Sequence, residues 1–549
     1  MQRLGMRPAS NLLIKLSFLT PLVVTIFVTP LNSYDPINLP RFFILIICTS
    51  ILLLLLFQNR RGLMDSQYRF LIQLSSAFFI WILISFFFSK SNLLESSFGV
   101  TGRQTGVLTY LAFIVLMISA VVSGGIKFSN SLLIVLLISG YINAGYGLIQ
   151  STGVDPFDWI NPYSPVFGLF GNPNFHASFM GITVTAAVAT VLGKRASLKI
   201  RFIAFFFISL AFYNIFESKS QQGYLVAATG ISVVFFLWLR QSRYSILRKI
   251  YLPLWIIGGV GVALDILQKA PWPSILYKES ISFRGDFWRA GWQMSLDNPL
   301  FGVGLDGYRD QYRFYRDQIA INRDSTAMVD SAHNVFLDIL SGAGFPLLII
   351  YLLLILYTLF SAVKVIRRMN NFEPLFAGIF GCWLAYLAQS LISINQIALA
   401  TWGWVLMGAI IGYEINTGVT DSKISIQRNK SSAGVAIIGT VVGAIIVAPA
   451  FLADIQFRST VKSGDVIKIQ QSVEKWPQSV IRMSLAAKIL SEGGFPDQAL
   501  DISTKAVEKF PRNFEAWQEL ALNPKVSESL KAQALLVMKQ LDPLNPNLS

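Results

Sequence analysis

The sequence predicts an all-α, polytopic membrane protein with a small helical region at its C-terminal end. Hydrophobic residues make up 53% of the chain and charged residues only 14%, whereas an ordinary soluble domain carries about 25% charge. The apolar residues gather in runs of roughly 16–25 residues, the length that crosses a bilayer. We therefore expect about 12–13 spans. The predicted spans lie near residues 12–30, 40–57, 70–88, 106–123, 131–150, 174–192, 202–216, 223–239, 251–266, 333–362, 375–391, 397–415 and 433–451.

The net charge is +15, and the positive residues are distributed as in a membrane protein and not as in a nucleic-acid-binding protein. Eighteen lysines and arginines lie in the connections on one side of the predicted bundle, while the short connections on the other side contain only Arg41, Lys90, Arg103 and Lys219. Because positive loops remain in the cytoplasm, the N-terminus is expected to be cytoplasmic. A long loop at 267–332 and the C-terminal residues 452–549 are then expected to be extracytoplasmic, with residues 1–451 forming the membrane domain.

The C-terminal region has a different pattern from the membrane part. Pro477 and Pro511 lie 34 residues apart, and each follows an aromatic residue. A 34-residue period with proline at the repeat end resembles tetratricopeptide repeats. One clear unit and a degenerate second unit are present, which is fewer than an independent solenoid needs. We expect a small helical domain that leans on the membrane part and offers a surface for a protein partner.

The long loop is rich in arginine and tryptophan, a composition that suits an anionic ligand. Arg284, Arg289 and Arg309 lie in it, and guanidinium groups bind phosphate bidentately. The alternative interpretation is a solvated loop whose arginines pair with neighbouring aspartates. The turn 298–304 contains Gly302 and Gly304, whose N–H groups are a weaker candidate for anion binding.

His333 is one of only two histidines in the chain and opens the next predicted span. Ser331 is a plausible N-cap, which would place His333 in the first helical turn. The helix dipole disfavours imidazolium there, so His333 is expected to be neutral and able to accept a proton. The alternative is a histidine that only completes hydrogen bonds at a helix end.

Two further loops on the same side carry single cations. Arg103 lies between Gly102 and Gly106 where a span begins, and the alternative is that it reaches lipid headgroups. Lys219 is the lone cation of a short polar hairpin, where it is a candidate for a second phosphate contact. Since the chain offers no Cys/His cluster and no carboxylate pair in its first outer loop, neither a metal nor a cofactor is expected.

An ordered string of residues resembles the O-antigen ligase and O-antigen polymerase superfamily of bacterial lipid-linked glycan transferases. The string runs Arg284, Trp288, Asn298-Pro299, Gly302-Val303-Gly304, His333-Asn334, Leu337 and Gly344, and it is accompanied by Gly102-Arg103 and by Gly171-Asn172-Pro173-Asn174. The resemblance implies a multi-pass enzyme of the bacterial cytoplasmic (inner) membrane, active in the synthesis of cell-envelope polysaccharide such as lipopolysaccharide. Its implied reaction is the metal-independent, inverting transfer of a glycan from undecaprenyl pyrophosphate to an acceptor hydroxyl.

The resemblance also implies roles for single residues. His333 corresponds to the family's base and Arg284 to an arginine that contacts the donor diphosphate. Arg103, Lys219, Arg289, Arg309 and Asn334 are the further substrate-binding candidates; at Lys219 the family often has arginine. The implied partners are the lipid-linked donor, membrane lipids and an acceptor that is a glycan, a lipid or a protein.

Two alternatives remain open at this point. A glycan-repeat polymerase of the same superfamily would use the same residues. A transporter of lipid-linked sugars would instead show internal repeats and ionisable residues near mid-membrane, which the sequence lacks.

Overall fold

The computed structural model describes residues 10–159, 166–240, 245–267, 269–272, 279–417 and 432–548, and within these ranges the protein is all-helical. Residues 1–9, and residues 268 and 273–278 of the predicted long loop, lie outside the described residues. The helices are α1 (Asn11–Ile26), α2 (Asn38–Gln58), α3 (Arg60–Leu63), α4 (Arg69–Phe88), α5 (Leu93–Phe98), α6 (Val107–Ser123), α7 (Ile126–Ser151), α8 (Pro173–Leu192), α9 (Leu198–Glu217), α10 (Gln221–Arg240), α11 (Ser245–Ile266), α12 (Glu279–Asp297), α13 (Tyr308–Tyr315), α14 (Gln318–Arg323), α15 (Val335–Arg368), α16 (Pro374–Ile392), α17 (Ile397–Thr417), α18 (Ser432–Ser463), α19 (Val466–Val473), α20 (Val480–Glu492), α21 (Pro496–Lys509), α22 (Phe514–Leu522) and α23 (Glu528–Leu541).

Each predicted span is a helix, which confirms a polytopic helical membrane protein. In the described ranges, ten helices are long and apolar enough to cross a membrane. The other three predicted spans are α1 and α6, which are apolar but shorter, and α11. The predicted number of spans therefore exceeds the number that meets the length and hydropathy requirement.

Helix α17 lies at the centre of the bundle. Its apolar residues face in every direction, as in a helix that is surrounded by others. Gly408 and Gly412 let it approach α6 closely, because a Cβ at Gly408 would lie 2.4 Å from the carbonyl oxygen of Met117. The buried indole of Trp402 donates a hydrogen bond to Thr25 Oγ1 over 2.8 Å.

Arg41 corrects one feature of the predicted topology. The sequence suggested that it belongs to an outer connection, but it lies in the first turn of α2 and is fully buried. Its Nη2 donates to the carbonyl oxygens of Thr25 and Leu169, and its guanidinium lies 5.0 Å from the ring centroid of Phe170. This arginine therefore ties together α1, α2 and the segment before α8.

Helix α15 is broken near its start, at Gly344, where φ is +80°. The turn at 298–304 packs into this break: Val303 N–H donates to Ser341 O, and Phe345 N–H donates to Pro299 O. Gly302 N–H donates to Asn298 O and Gly304 N–H donates to Gly342 O. The suggestion that these two glycine N–H groups face an anion is therefore wrong, since both are used inside the fold.

The C-terminal residues form a second hydrophobic core, which runs from Phe457 to Met538. Helix α18 continues without interruption from the membrane part to Ser463, and α19–α23 follow it as short packed helices. Two hydrogen bonds connect this region to the loop between α1 and α2: the Asp454 carboxylate accepts from the backbone N–H groups of Tyr34 and Asp35. The C-terminal helices thus lie at the end of the bundle where α1 ends and α2 begins.

The break in α15 gives a stability prediction. A Cβ at Gly344 would lie 2.1 Å from Leu300 O, and its φ of +80° is unfavourable for any other residue. We expect Gly344→Ala to destabilise the protein by about 1–3 kcal/mol or more. Gly145→Ala, in the middle of α7 with open space around it, is the control and should leave the unfolding midpoint unchanged or slightly higher. Thermal unfolding in detergent measures both variants, and equal midpoints would contradict the argument.

Candidate functional site

The loops at one end of the bundle are joined by direct hydrogen bonds. Asn38 Nδ2 donates to Gly102 O over 2.6 Å, and Gln396 Nε2 donates to Asn38 Oδ1 over 3.0 Å. Asn334 Nδ2 donates to Leu391 O over 3.0 Å. These bonds bring the ends of α2, α6, α15, α16 and α17 to one surface, which we call the site face.

The loop that carries Arg103 is held by Asp306, a residue of the long segment between α12 and α13. One oxygen of the Asp306 carboxylate accepts from the N–H groups of Val100 and Thr105, each over 3.0 Å. The other oxygen accepts from the Thr105 hydroxyl. Because these contacts lie on both sides of Arg103, the position of the Arg103 backbone depends on Asp306. Sequence reasoning missed this residue, although the Asp306-Gly307 pair is an ordinary turn signal.

His333 lies just before α15 and not in its first turn. The N-cap is Asn334, whose Oδ1 accepts from Phe336 N and Leu337 N, so the prediction that Ser331 caps the helix is wrong. His333 has a φ of +53°, a left-handed conformation that is uncommon for a residue other than glycine. The Ser331 hydroxyl accepts from His333 N–H, and the Asp338 carboxylate accepts from Ala332 N–H.

The half-buried imidazole of His333 packs against Phe287, with ring centroids 5.5 Å apart. No described residue forms a hydrogen bond with the ring. Burial, and then the positive charges of Arg103 and Arg284, lower the pKa of His333 to about 3, while Asp330 acts in the opposite direction. The expected neutral imidazole is therefore present, but the cause is burial and neighbouring cations in place of a helix dipole.

Arg284 differs from the other arginines of the segment between α12 and α15. Among the described residues, Arg289, Arg309, Arg313, Arg316 and Arg323 each form an ion pair with a carboxylate. No ion pair or hydrogen bond to the Arg284 side chain is found in that part of the chain. Burial lowers the pKa of Arg284, but a guanidinium stays protonated in proteins. Arg284 thus carries a charge that no described carboxylate neutralises.

Arg103 reaches from its loop toward the residues before His333. Its Nε lies 3.3 Å from Asp330 Oδ2, and its Nη2 donates to Ser331 Oγ over 3.2 Å. Burial raises the pKa of Asp330, but the ion pairs with Arg103 and Arg309 have the opposite effect and leave this pKa below its ordinary value. A cleft of about 430 Å³, including its open part, begins at Arg103 and Asp330. Arg103 therefore does not simply reach lipid headgroups.

The other predicted substrate-binding residues have different surroundings. Arg289 is held by Asp286 and Asp317, each at 2.6 Å, and Arg309 is held by Asp330 and Glu515. Asn334 uses its side chain to cap α15 and to bond Leu391. Lys219 lies in the α9–α10 turn with a φ of +54°.

His176, the second histidine, has a structural setting. It is fully buried in α8, and its Nε2 lies 3.0 Å from Asn214 Oδ1. Gly168 leaves room for the ring, because a Cβ there would lie 2.1 Å from Nδ1. The charges of Arg103 and Arg284 therefore act on His333, whereas His176 is held inside the bundle.

Comparison with known proteins supports the family that the residues suggested. Residues 204–352 match the family model described as O-antigen ligase. This range includes Lys219, Arg284, Arg289, Arg309, His333 and Asn334. The match supports a place in the O-antigen ligase superfamily and an enzyme of the glycan-transferring ligase or polymerase type. No curated protein matches the chain.

The two histidines allow a chemical test of the site. Diethyl pyrocarbonate modifies neutral imidazole, and an ordinary histidine with a pKa near 6.5 is mostly protonated at pH 5. Since the pKa of His333 is lowered to about 3, its charged form is absent above about pH 4 and its modification rate should be constant from pH 5 to pH 8. His176 is the internal control, because it is fully buried and should react only after unfolding. A rate at His333 that falls with an apparent pKa near 6.5, measured by peptide mass spectrometry, would contradict this assignment.

Proposed function

We propose that this protein transfers a glycan from undecaprenyl diphosphate to an acceptor hydroxyl, with inversion and without a metal ion. One observation carries the proposal. Arg284 and His333 lie close enough for charge to act between them, and among the described residues neither side chain has a hydrogen-bond or ion-pair partner. An unpaired guanidinium beside a neutral imidazole provides an anion site and a proton acceptor at one place.

The donor diphosphate needs its charge neutralised when it leaves. Diphosphate is a good leaving group that does not require protonation, and fixed positive charges stabilise the charge that develops on it. Arg284 is proposed to bind it bidentately, and Arg103 to add a second charge from the opposite loop. Lys219 is proposed as a further contact. Within the described ranges no three His, Cys, Asp or Glu side chains gather as a metal site requires.

The acceptor hydroxyl needs a base when it attacks the anomeric carbon. His333 is proposed to take that proton, and a single displacement of this kind inverts the configuration. A base whose pKa is lowered by burial and then by two arginines is weak, and an anion that binds beside it offsets the second cause. The donor diphosphate would neutralise Arg103 and Arg284 and raise the pKa of His333, because the imidazolium is then no longer repelled. The base would therefore become effective only when the donor is in place.

We further propose that the protein lies in the bacterial cytoplasmic membrane with the site face outward. The support is the distribution of lysine and arginine, which favours the opposite face for the cytoplasm. The N-terminus would then be cytoplasmic and the C-terminal helices extracytoplasmic. A ligase and a polymerase use the same two chemical steps and differ in the acceptor, so the site supports both.

Replacing His333 tests the base. His333→Ala should lower transfer by roughly 10²–10⁴-fold, the contribution of a positioned general base. The measurement is complementation of a deletion strain, with surface glycan and lipid-linked glycan separated on gels. Met328→Ala, an exposed residue of the same segment, is the control and should restore the glycan. Accumulated lipid-linked polymer identifies a ligase and accumulated single repeat units a polymerase. Full activity of His333→Ala would refute the proposal.

Replacing Arg284 tests the diphosphate contact. We expect Arg284→Gln to weaken binding of undecaprenyl diphosphate by about ten- to a hundredfold, since a charge-assisted hydrogen bond contributes roughly 1.5–3 kcal/mol. The matched control is Arg323→Gln in the same segment, whose guanidinium is already paired with Asp286. The affinity of Arg323→Gln for undecaprenyl diphosphate should stay within about twofold of the parent, because the charge that is removed is already paired within the protein. Binding is followed by tryptophan fluorescence in detergent, and equal losses in both variants would exclude a specific role for Arg284.

A further inference from the structure

A chain of alternating charges connects the C-terminal helices to the site. Glu515, in the first turn of α22, forms an ion pair with Arg309. Arg309 Nη1 also lies 3.6 Å from Asp330 Oδ1, and Asp330 Oδ2 lies 3.3 Å from Arg103 Nε. Arg309 is largely buried, with 14% of its side chain exposed, so these interactions are only partly screened by water. Four side chains from three separate parts of the sequence thus form one connected array.

The position of Glu515 is fixed by a rigid contact between α13 and the C-terminal helices. Asp542 is fully buried and pairs with Arg316 at 2.7 Å and with Arg313 at 2.9 Å. The Arg313 guanidinium also lies 4.2 Å from the ring centroid of Phe514, the residue before Glu515. A buried carboxylate shared by two arginines is costly to separate, because each partner would be left uncompensated. Glu515 therefore remains opposite Arg309.

A second hydrogen bond from the same helix end supports this arrangement. Asn513 Nδ2 donates to Asp310 Oδ1 over 2.8 Å, so the start of α22 contacts α13 at the residue next to Arg309. Asp310 and Glu95 are further buried acids whose charges act on one another and on Arg309. With acids on several sides, the direction in which the Arg309 guanidinium points is set by which of them remain. Among the described residues, Glu515 and Asp330 are the two acids that form ion pairs with it.

We propose that Glu515 is a positioning residue for the transfer site, acting through Arg309 and Asp330 on Arg103. When Glu515 is present, Arg309 divides its interaction between two carboxylates, and Asp330 keeps its ion pair with Arg103. When Glu515 is lost, Arg309 turns fully to Asp330 and competes with Arg103 for it. Arg103 then loses the contact that aims it at the donor. The C-terminal helices are thereby part of the active enzyme, an inference that rests on the proposed function of this site.

The test is the rate of transfer by Glu515→Gln, which removes the charge and keeps the shape. Membranes of a deletion strain that carries each variant contain the natural donor and acceptor, and the rate is read from the loss of lipid-linked glycan. We expect kcat to fall by about ten- to a hundredfold, as for misplacement of a group that contacts substrate. Binding of undecaprenyl diphosphate should change by less than about threefold, because Arg284 is untouched. Glu515→Asp should restore part of the rate, since it keeps the negative charge.

Two control variants separate positioning from simple docking. Arg512→Gln removes another bond between the C-terminal helices and the membrane part, that of Arg512 Nη1 to Lys90 O. Glu474→Gln removes a carboxylate that pairs with Lys505 on the exposed side of the same helices. Both should transfer glycan at close to the parental rate, with equal protein in the membrane.

The outcomes are distinct. A fall in Glu515→Gln that Glu515→Asp reverses and Arg512→Gln does not share supports the inference. The same rate in Glu515→Gln and Glu474→Gln overturns it, as does an equal fall in Glu515→Gln and Arg512→Gln. Full activity of His333→Ala, in contrast, refutes the proposed function itself, whatever the Glu515 variants do.

Discussion

The carboxylate of Asp330 lies between the guanidinium groups of Arg103 and Arg309, at 3.3 and 3.6 Å, and acts on the neighbouring imidazole of His333. Two arginines that approach one another in a partly buried site repel strongly unless a negative charge separates them. Asp330 provides that charge and so allows Arg103 to lie near His333. Arg284 adds a positive charge that acts on the same imidazole and has no ion-pair partner among the described residues, which suits a diphosphate.

The division of arginines into paired and unpaired follows from the cost of burial. An arginine removed from water must be compensated by a carboxylate or by carbonyl oxygens. Arg316 meets this requirement through Asp542, and Arg41 does so in part through two carbonyl oxygens. Arg284 remains half-buried with no partner among the described residues, a state that is unfavourable unless a ligand completes it. Because the neighbouring arginines are paired with carboxylates, the unpaired Arg284 is a candidate ligand-binding residue.

The helices were predictable, because a run of apolar residues long enough to span a membrane is visible in the sequence. The contacts of the polar residues were not predictable. The pair Arg316–Asp542 joins residues that are far apart in sequence, and no local pattern specifies it. Ser331 looked like an N-cap from its position, but Asn334 takes that role because the backbone at His333 is left-handed. The ion pairs of Arg289 and Arg309 were not predictable either, because a sequence does not show which acids oppose them.

The left-handed backbone at His333 connects these observations. Within the described part of the chain, the non-glycine residues with positive φ are Gln104, Lys219, Asp306 and His333, and all lie in loops. Such conformations cost roughly 1–3 kcal/mol each and persist only where the surroundings fix them. At Asp306 the surroundings are three hydrogen bonds to the Arg103 loop, and at His333 they include the Ser331 hydroxyl, which Arg103 also contacts. The contacts that orient Arg103 therefore also stabilise the conformation of His333. A substitution that moves one of these residues should move the other without a change in the helices.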